Sequence, residues 1–274
     1  MIFDSHCHLQ FTAFNNTRDE VVKRCKDNNV KLVNVGTCFE TSKKALELSS
    51  QHDFMYCSVG LHPLHIKTDL VKQPLDKMED YSLLEENGFD ENKYRELIKN
   101  NKKVVAIGEV GFDLWRRPKT NNKKIAFVEK QKQELIKQLK LAEEFSLPVI
   151  FHCRLGFKYL FETLKEIKPK KAVCHSFTGN EQELERVLSY GYLIGVNGLI
   201  FKLDWLGNII KKTPLEKILI ETDAPYLTPP QEGEKLNEPI FLEYVIQKIG
   251  EIKNEKPEKI EEITYQNAKE FFSV

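Results

Sequence analysis

The sequence predicts an α/β protein with a (β/α)8 TIM barrel of the metal-dependent hydrolase type, and two observations support this prediction. Eight short apolar runs recur along the chain, and they are continuous rather than alternating, as in strands that are buried on both faces. Segments with helical periodicity separate these runs, which favours a parallel sheet closed into a barrel. An open doubly wound sheet is the alternative, but the chain lacks the Gly-x-Gly-x-x-Gly turn typical of it.

The predicted elements follow one another in strict alternation. The strands are Ile2-Phe3, Lys31–Val35, Met55–Val59, Val104–Ile107, Val149–Phe151, Ala172–Cys174, Tyr192–Val196 and Ile218–Ile220. The helices are Thr17–Asn29, Thr41–Gln51, 123–146, Phe157–Ile167, Gln182–Tyr190, Trp205–Lys212 and two closing helices near 238–251 and 258–272. An extended loop with an extra helix is expected after strand three, between Leu61 and Lys103. We expect one TIM-barrel hydrolase domain over residues 1–274.

Composition excludes a strongly charged protein. Lys and Arg number 41, as do Asp and Glu, so any binding of a polyanion must come from a local patch. No signal peptide and no apolar run long enough to span a membrane is visible, so we expect a cytoplasmic protein, with a nuclear site or unconventional export left open. The six cysteines show no Cys-x-x-Cys pair, which favours buried thiols over disulfides.

Reactive residues collect where the predicted strands end, which is where barrel enzymes carry their chemistry. These residues are His6, His8, His62, Glu109, His152, Arg154, His175 and Asp223, and they include five of the seven histidines. Because side chains two apart on a strand share a face, His6 and His8 point together into the barrel mouth, and Cys7 points toward the helices.

Four imidazoles and two carboxylates at one mouth predict a metal centre. Buried polar groups need partners, and nitrogen and oxygen donors suit Zn, Mn, Ni or Mg. Six donors exceed the needs of one tetrahedral ion, so we expect two divalent ions that share a bridging carboxylate. Taken singly, each residue has a plainer interpretation: Glu109 as an ordinary carboxylate at a strand end, for example, and Asp223 as a helix N-cap.

A basic stretch after strand four predicts contacts with phosphate. Residues 114–124, LWRRPKTNNKK, include Arg116 and Arg117 and no acid. A charged, solvated loop that leads into a helix would have the same composition. Trp115 and Phe112 are candidates to stack on a base. Arg154 shares the face of His152 and is a further phosphate ligand. His62 is a candidate to contact substrate or donate a proton, or a loop histidine bonded to backbone.

The remaining loop histidine after strand three is His65, which lies three residues after His62. We expect it to be a surface residue.

The ordered set of motifs resembles the TatD-type metal-dependent deoxyribonucleases, which belong to the amidohydrolase-like TIM barrels. The motifs are FDSHCHLQ, SVGLHPLH, AIGEVGFD, VIFHCR, CHSFTGN and ILIETDAPYLTP, followed by NEP and the closing YQNAKEFF. The resemblance implies that His6, His8 and Asp223 hold one metal, that His152 and His175 hold the other, and that Glu109 bridges them. Two positions depart from the family pattern: Leu155 replaces an acidic residue and Leu236 replaces an arginine.

What the resemblance implies is hydrolysis of DNA phosphodiester bonds, often as a 3′→5′ exonuclease, with Mg or Mn in cells and Zn or Ni as alternatives. Asp223 is then the expected general base, with His62 and Glu109 as further catalytic groups. His62, Arg154, Arg116 and Arg117 are the expected substrate contacts. The expected partner is DNA, as single strands or 3′ ends, with no membrane and a monomeric chain. A small-molecule amidohydrolase or esterase on the same barrel, or a non-enzymatic metal-binding scaffold, stays open as an alternative.

Overall fold

The computed structural model of the protein describes residues 1–71, 76–79 and 86–274. The strands of its sheet are β1 Ile2–Cys7, β2 Val30–Val35, β3 Met55–Val59, β4 Val104–Asp113, β5 Val149–Arg154, β6 Ala172–Cys174, β7 Leu193–Val196 and β8 Ile218–Ile220. Its α-helices are α1 Arg18–Asp27, α2 Phe39–Ser50, α3 Glu91–Ile98, α4 Asn121–Glu144, α5 Phe157–Thr163, α6 Glu181–Ser189, α7 Leu206–Lys212, α8 Leu242–Lys253 and α9 Pro257–Phe272. Among the described helices, none is both long enough and apolar enough to cross a membrane.

The strands form a nearly closed parallel barrel, as predicted. They lie side by side in chain order from β1 to β8, and each neighbouring pair is parallel. After β8 the chain returns to β1, where Cys7 bridges to Ala224 and the His8 amide donates to the Ala224 carbonyl at 2.8 Å. The Asp223 amide donates to the His6 carbonyl at the same distance. The closure therefore lies at the C-terminal ends of the strands, beside the reactive residues.

One apolar cluster fills the interior below the reactive residues. Its strand members are Phe3, Val33, Val35, Val105, Ala106, Ile150, Val173 and Leu219. Side chains of strands on opposite sides can meet only inside a barrel, so this cluster is the inner core. Phe271 and Phe272 of α9 join it, and the Phe272 ring stacks on that of Phe3 with centroids 5.8 Å apart. The C-terminal helix thus closes the N-terminal end of the barrel.

A register shift in β1 brings an apolar residue and a polar residue to the same face. Pairing with β2 is irregular between Asp4 and Cys7. Strict alternation would place Phe3 and His6 on opposite faces, and an extra residue in the strand removes that conflict. Phe3 therefore packs in the inner core while His6 points into the mouth of the same barrel.

β4 is longer than the predicted Val104–Ile107. Residues beyond Ile107, up to Asp113, continue to pair with β5, with Asp113 opposite Arg154. Gly111 has φ +145°, and a Cβ there would lie 2.1 Å from the His152 carbonyl oxygen. The glycine therefore marks a close approach of two strands rather than a strand end.

The thiols pack outside the barrel, as strand parity predicts. Cys7 belongs to a cluster with Val21 and Val22 of α1. Cys153 and Cys174 belong to the large cluster between the strands and the other helices. All six cysteines lie among the described residues, where they are buried and form no disulfide.

Helix ends follow local sequence signals. Asn180 caps α6: its side chain accepts the Glu183 amide at 3.0 Å, and the Glu183 carboxylate accepts the Asn180 amide at 2.8 Å. α9 begins at Pro257, whose missing N–H costs nothing in the first turn. The extra helix predicted between β3 and β4 is α3, which Asp90 caps through the amides of Asn92 and Lys93.

The charged run DKMEDYSLLEENGFDENK in this insertion is described only in part. Residues 80–85 of the run lie outside the described residues, whereas 76–79 and 86–93 lie within them.

Truncation of Phe272 tests whether α9 closes the inner core. We expect Phe272→Ala to lower the free energy of unfolding by about 3–5 kcal/mol, because it removes a buried ring and leaves a cavity. Ile125→Ala is the matched control, since Ile125 is 68% exposed and should change stability by no more than about 0.5 kcal/mol. Urea denaturation of both variants measures the difference. Equal stability of the two would show that α9 does not contribute to the core.

Candidate metal centre

The predicted ligands meet at the C-terminal mouth of the barrel. They come from the end of β1 and the residue after it, from β4 and β5, from the residue directly after β6, and from the third residue after β8. The six side chains are those of His6, His8, Glu109, His152, His175 and Asp223. Glu109 lies between two groups of imidazoles, and each oxygen of its carboxylate faces one group.

The first group surrounds Oε1 of Glu109. The Nε2 atoms of His6 and His8 lie 3.4 and 3.6 Å from this oxygen and 3.2 Å from each other. Oδ1 of Asp223 lies 3.7 Å from His6 Nε2 and 3.4 Å from His8 Nε2. Asp223 adopts a left-handed backbone conformation, with φ +59°. Four donor atoms from β1, β4 and the end of β8 thus converge on one point.

The second group surrounds Oε2 of the same carboxylate. His152 Nδ1 lies 3.0 Å from this oxygen, His175 Nε2 lies 3.1 Å from it, and the two nitrogens are 3.2 Å apart. His62 Nε2 is farther away, at 3.7 Å. Glu109 is therefore placed to join two donor groups that lie on opposite sides of it.

Hydrogen bonds on the far side of the rings fix which nitrogen of each histidine has a free lone pair. His8 Nδ1 lies 2.7 Å from the Val35 carbonyl oxygen, so Nδ1 carries the proton and the Nε2 lone pair faces the first group. His152 Nε2 lies 3.0 Å from Asp113 Oδ2, so Nε2 carries the proton and the Nδ1 lone pair faces the second group. Both rings are thus oriented as metal ligands are.

Glu221, a residue that the sequence interpretation did not assign, faces the far nitrogen of His175. Nδ1 of His175 lies 3.5 Å from Glu221 Oε1, an oxygen that also accepts the Ser176 amide at 2.6 Å and the Asn197 side-chain amide at 3.1 Å. Burial lowers the pKa of His175, but the facing carboxylate of Glu109 and that of Glu221 outweigh it and raise the pKa well above its usual value.

His62 differs from His8 and His152 because the ring nitrogen that faces Glu109 carries a proton rather than a lone pair. Its Nδ1 accepts the Leu64 amide at 3.2 Å, so Nε2 carries the proton and points toward Glu109 as a donor. Burial, followed by repulsion from His152, holds the pKa of His62 well below its usual value. His62 is therefore a neutral hydrogen-bond donor at the mouth rather than a ligand.

Both central carboxylates are ionised at neutral pH. Burial by itself raises the pKa of Glu109, but the facing imidazoles, His175 foremost, hold that pKa well below the usual carboxyl value. Burial also opposes ionisation of Asp223, but the facing His8 ring, followed by the nearby His175 and His6, lowers its pKa.

This set of donors fits divalent metal ions. The atoms that converge are nitrogen and oxygen, without sulfur, which suits Zn, Mn, Ni or Mg. Within each group two imidazole nitrogens lie 3.2 Å apart, close enough for both to face one cation. Among the described residues, groups whose donor atoms lie within 4.8 Å of one another include His6, His175 and Glu221; His6, His8 and Glu109; and His62, Glu109 and His152.

Asp113 and Glu221 are the functional positions that the sequence interpretation missed. Asp113 is the last residue of β4, four residues after Glu109 and on the same face. Glu221 comes directly after β8 and two residues before Asp223. The period-two rule that grouped His6 with His8 would have found Asp113, but it does not apply to Glu221, because the chain has left the strand there and Asp223 has φ +59°.

The basic stretch lies at the mouth, beside the end of β5. Arg116 and Arg117 are exposed, and Arg117 donates to the Leu114 carbonyl at 2.9 Å. The guanidinium of Arg154 lies over the Trp115 ring, 4.4 Å from its centroid. The stacking role considered for Phe112 is wrong: that ring is completely buried in the core, because it is on the outward face of β4 and packs against the helices.

His65 is not the surface residue that the sequence suggested. Its side chain is only 12% exposed, because it lies beneath residues 76–79 of the insertion. This short segment contacts the loops after β1, β2, β3 and β8. Its bonds are those of the Met78 carbonyl with Thr12 and Ala13, of Glu79 with Thr37 and His65, and of Asp76 with Tyr226. The segment therefore covers one side of the mouth, opposite the basic stretch.

Comparison with known proteins identifies the family. The sequence matches the model of the TatD related DNases over residues 3–273. It is 32% identical to an uncharacterized metal-dependent hydrolase of Methanocaldococcus jannaschii, over 98% of this chain and 96% of that protein. It is also 32% identical to a protein of Erwinia tasmaniensis named 3′-5′ ssDNA/RNA exonuclease TatD, over the full length of both.

A solved structure agrees with these sequence matches. The crystal structure of a TatD homologue of Escherichia coli K12 superimposes with a TM-score of 0.81 at 29% identity, covering 100% of this chain and 98% of that one. With a TIM barrel and a matching family model across its length, the chain belongs to the TatD family of metal-dependent hydrolases.

Proposed function

We propose that the protein is a divalent-metal-dependent deoxyribonuclease that hydrolyses phosphodiester bonds of single-stranded DNA from the 3′ end. The observation that carries the proposal is the Glu109 carboxylate, whose two oxygens each face a separate group of imidazoles. Such an arrangement suits a pair of ions, and pairs of ions recur in nucleases and phosphatases. TatD relatives named 3′-5′ ssDNA/RNA exonucleases support a single-stranded nucleic acid as the substrate.

The chain's own residues divide into two ligand groups. His6, His8 and Asp223 would hold one ion, His152 and His175 would hold the other, and Glu109 would bridge them. Once bound, two divalent ions polarise the phosphoryl oxygens and lower the pKa of a bound water, with Mg or Mn serving in cells and Zn or Ni as alternatives.

Asp223 is the general base of this proposal. Its Oδ1 faces His6 and His8, and the side chain is 17% exposed, so solvent reaches the carboxylate. Because its pKa lies below the usual carboxyl value, it is ionised at neutral pH and can accept a proton from the attacking water.

His62 and Arg154 would orient the phosphate. The protonated Nε2 of His62 points into the mouth, where it would donate to a phosphoryl oxygen, as its tautomer requires. Arg154 ends β5 two residues after His152 and offers a charged fork to the same phosphate. Arg116 and Arg117 would contact the following phosphates of the strand.

An assay on end-labelled single-stranded DNA tests the function. We expect metal-loaded protein to shorten the strand from its 3′ end and a chelator to stop the reaction. Asp223→Asn should lower kcat by about 10²–10⁴-fold, the usual contribution of a general base, and His152→Ala should abolish turnover. Both variants should retain the circular dichroism spectrum of the native protein.

The same preparation should be assayed on lactones and cyclic amides. Rapid turnover of these compounds, with no chelator-sensitive cleavage of DNA, would contradict the proposed function and favour a small-molecule hydrolase. Undiminished cleavage by Asp223→Asn would contradict the assigned base alone.

Asp113 is a positioning residue for His152. Its Oδ2 accepts the imidazole Nε2–H at 3.0 Å, and such partners commonly change metal affinity or activity by 10–100-fold. We expect Asp113→Asn to weaken metal binding by about this factor, with activity recovered at higher metal concentration. Metal titration followed by isothermal calorimetry measures the shift.

Asp27→Asn is the matched control for this substitution, because Asp27 is an exposed partner of Lys23 on α1, far from the mouth. Unchanged metal affinity in Asp113→Asn would show that His152 needs no orienting carboxylate.

A further inference from the structure

Two large apolar side chains are exposed next to each other at the mouth. Trp115 is 60% exposed and Leu155 is 58% exposed, although they follow different strands and lie 40 positions apart in sequence. With Val71, Arg116 and Arg117 they line an open groove of about 530 Å³. We call the surface formed by these five residues the Trp115 shelf.

The shelf is held in place by the same residue that orients a candidate ligand. Oδ1 of Asp113 accepts the Trp115 amide at 2.9 Å, and Oδ2 accepts from His152. The amide of Leu114 donates to the Arg154 carbonyl at 2.9 Å, which joins the chain after β4 to the end of β5. The shelf therefore keeps a fixed position relative to the metal centre.

The distance from the centre suits a neighbouring nucleotide. Gly111 pairs with His152, so Leu155 lies three residues beyond His152 and Trp115 lies four residues beyond the position opposite it. Three to four residues of extended chain span at most roughly 10–13 Å, a length that one or two nucleotides can bridge. A single-stranded DNA whose phosphate reaches His152 would therefore place a neighbouring nucleotide over Trp115.

Charge and shape together indicate which molecule covers the shelf. Arg116 and Arg117 belong to the shelf, and Arg154 lies beside it. The sequence from Leu114 to Lys124 contains no acid, so the positive charge of these arginines complements a phosphate backbone. A flat exposed indole beside arginines is the surface that single-strand binders offer to a base, because every base has a π-face. An aliphatic peptide would use the apolar surface but leave the cations without partners.

We propose that Trp115 and Leu155 form a stacking platform for the unpaired base next to the scissile phosphodiester, so that the enzyme selects single-stranded nucleic acid. A base inside a duplex is stacked on both faces and cannot reach the platform without being unpaired first. This inference rests on the proposed function. In addition to the arginines that contact phosphate, it assigns a site that contacts the base.

Loss of the indole should weaken the binding of single-stranded DNA but leave the hydrolytic step unchanged. We expect Trp115→Ala to lower kcat/KM on single-stranded DNA by about 5- to 150-fold, mostly through KM, as the loss of one base–aromatic stack predicts. Trp115→Phe should recover much of this loss. Hydrolysis of methyl 4-nitrophenyl phosphate, a diester too small to reach the shelf, should stay within about twofold of the native rate in both variants.

A strand with an abasic nucleotide next to the scissile bond isolates the stacking itself. The native enzyme should cleave it poorly, and Trp115→Ala should cause no further loss, because the partner of the indole is already absent. Ile125→Ala, which removes an equally exposed apolar side chain from α4, is the control and should cleave all three substrates at the native rate.

The outcomes separate the shelf from the proposed function. An equal loss on intact and abasic strands, or a loss on the small diester, would overturn the stacking role, since the indole would then act only by holding Arg154, whose guanidinium lies over its ring. Native activity of Trp115→Ala on intact strands would overturn it as well. Failure of the native enzyme to cleave any DNA while it hydrolyses the small diester would overturn the proposed function, and the shelf with it.

Discussion

The structure depends on one carboxylate buried among histidines. Glu109 lies at the centre of the mouth, with each oxygen 3.0–3.7 Å from its own set of imidazole nitrogens. A buried carboxylate is costly unless positive charge or hydrogen-bond donors compensate it, and here His175, whose pKa is raised, is the foremost compensating group. The barrel supplies them because its strands all end at the same rim, so residues distant in sequence meet around one side chain.

The orientation of the rings depends on partners that lie one layer farther out. The Val35 carbonyl, Asp113 and Glu221 lie behind His8, His152 and His175 and direct one nitrogen of each ring to the centre. Leu64 acts in the opposite sense on His62, leaving a proton rather than a lone pair facing inwards. The same residue type therefore supplies both candidate ligands and a candidate donor to substrate, and the difference lies in a single backbone contact.

Much of this arrangement could be predicted from sequence, because the barrel repeats a simple rule. Continuous apolar runs predicted the eight strands, and their order along the chain placed His6, Glu109 and His152 at one rim. The rule failed where local structure broke the alternation. The register shift in β1 and the extension of β4 past Gly111 depend on how neighbouring strands approach each other. The sequence pattern of a single strand does not predict how closely its neighbour approaches.

The surroundings of the site were harder to predict for the same reason. His65 is covered by residues 76–79, a contact between segments that carry no common motif. Trp115 and Leu155 come together because β4 and β5 are neighbours, and only the pairing of Asp113 with Arg154 fixes their relative position. One side of the mouth is thus covered by the insertion, and the other offers exposed arginines and apolar surface.

Under the proposed function, Glu109 would bridge two divalent ions. Anomalous diffraction from crystals grown with Mn²⁺ can test this bridge. We expect two anomalous peaks roughly 3.5–4 Å apart, one beside His6 and His8 and one beside His152 and His175, with one Glu109 oxygen facing each. A single peak at full occupancy, in crystals whose protein cleaves DNA at the native rate, would contradict it.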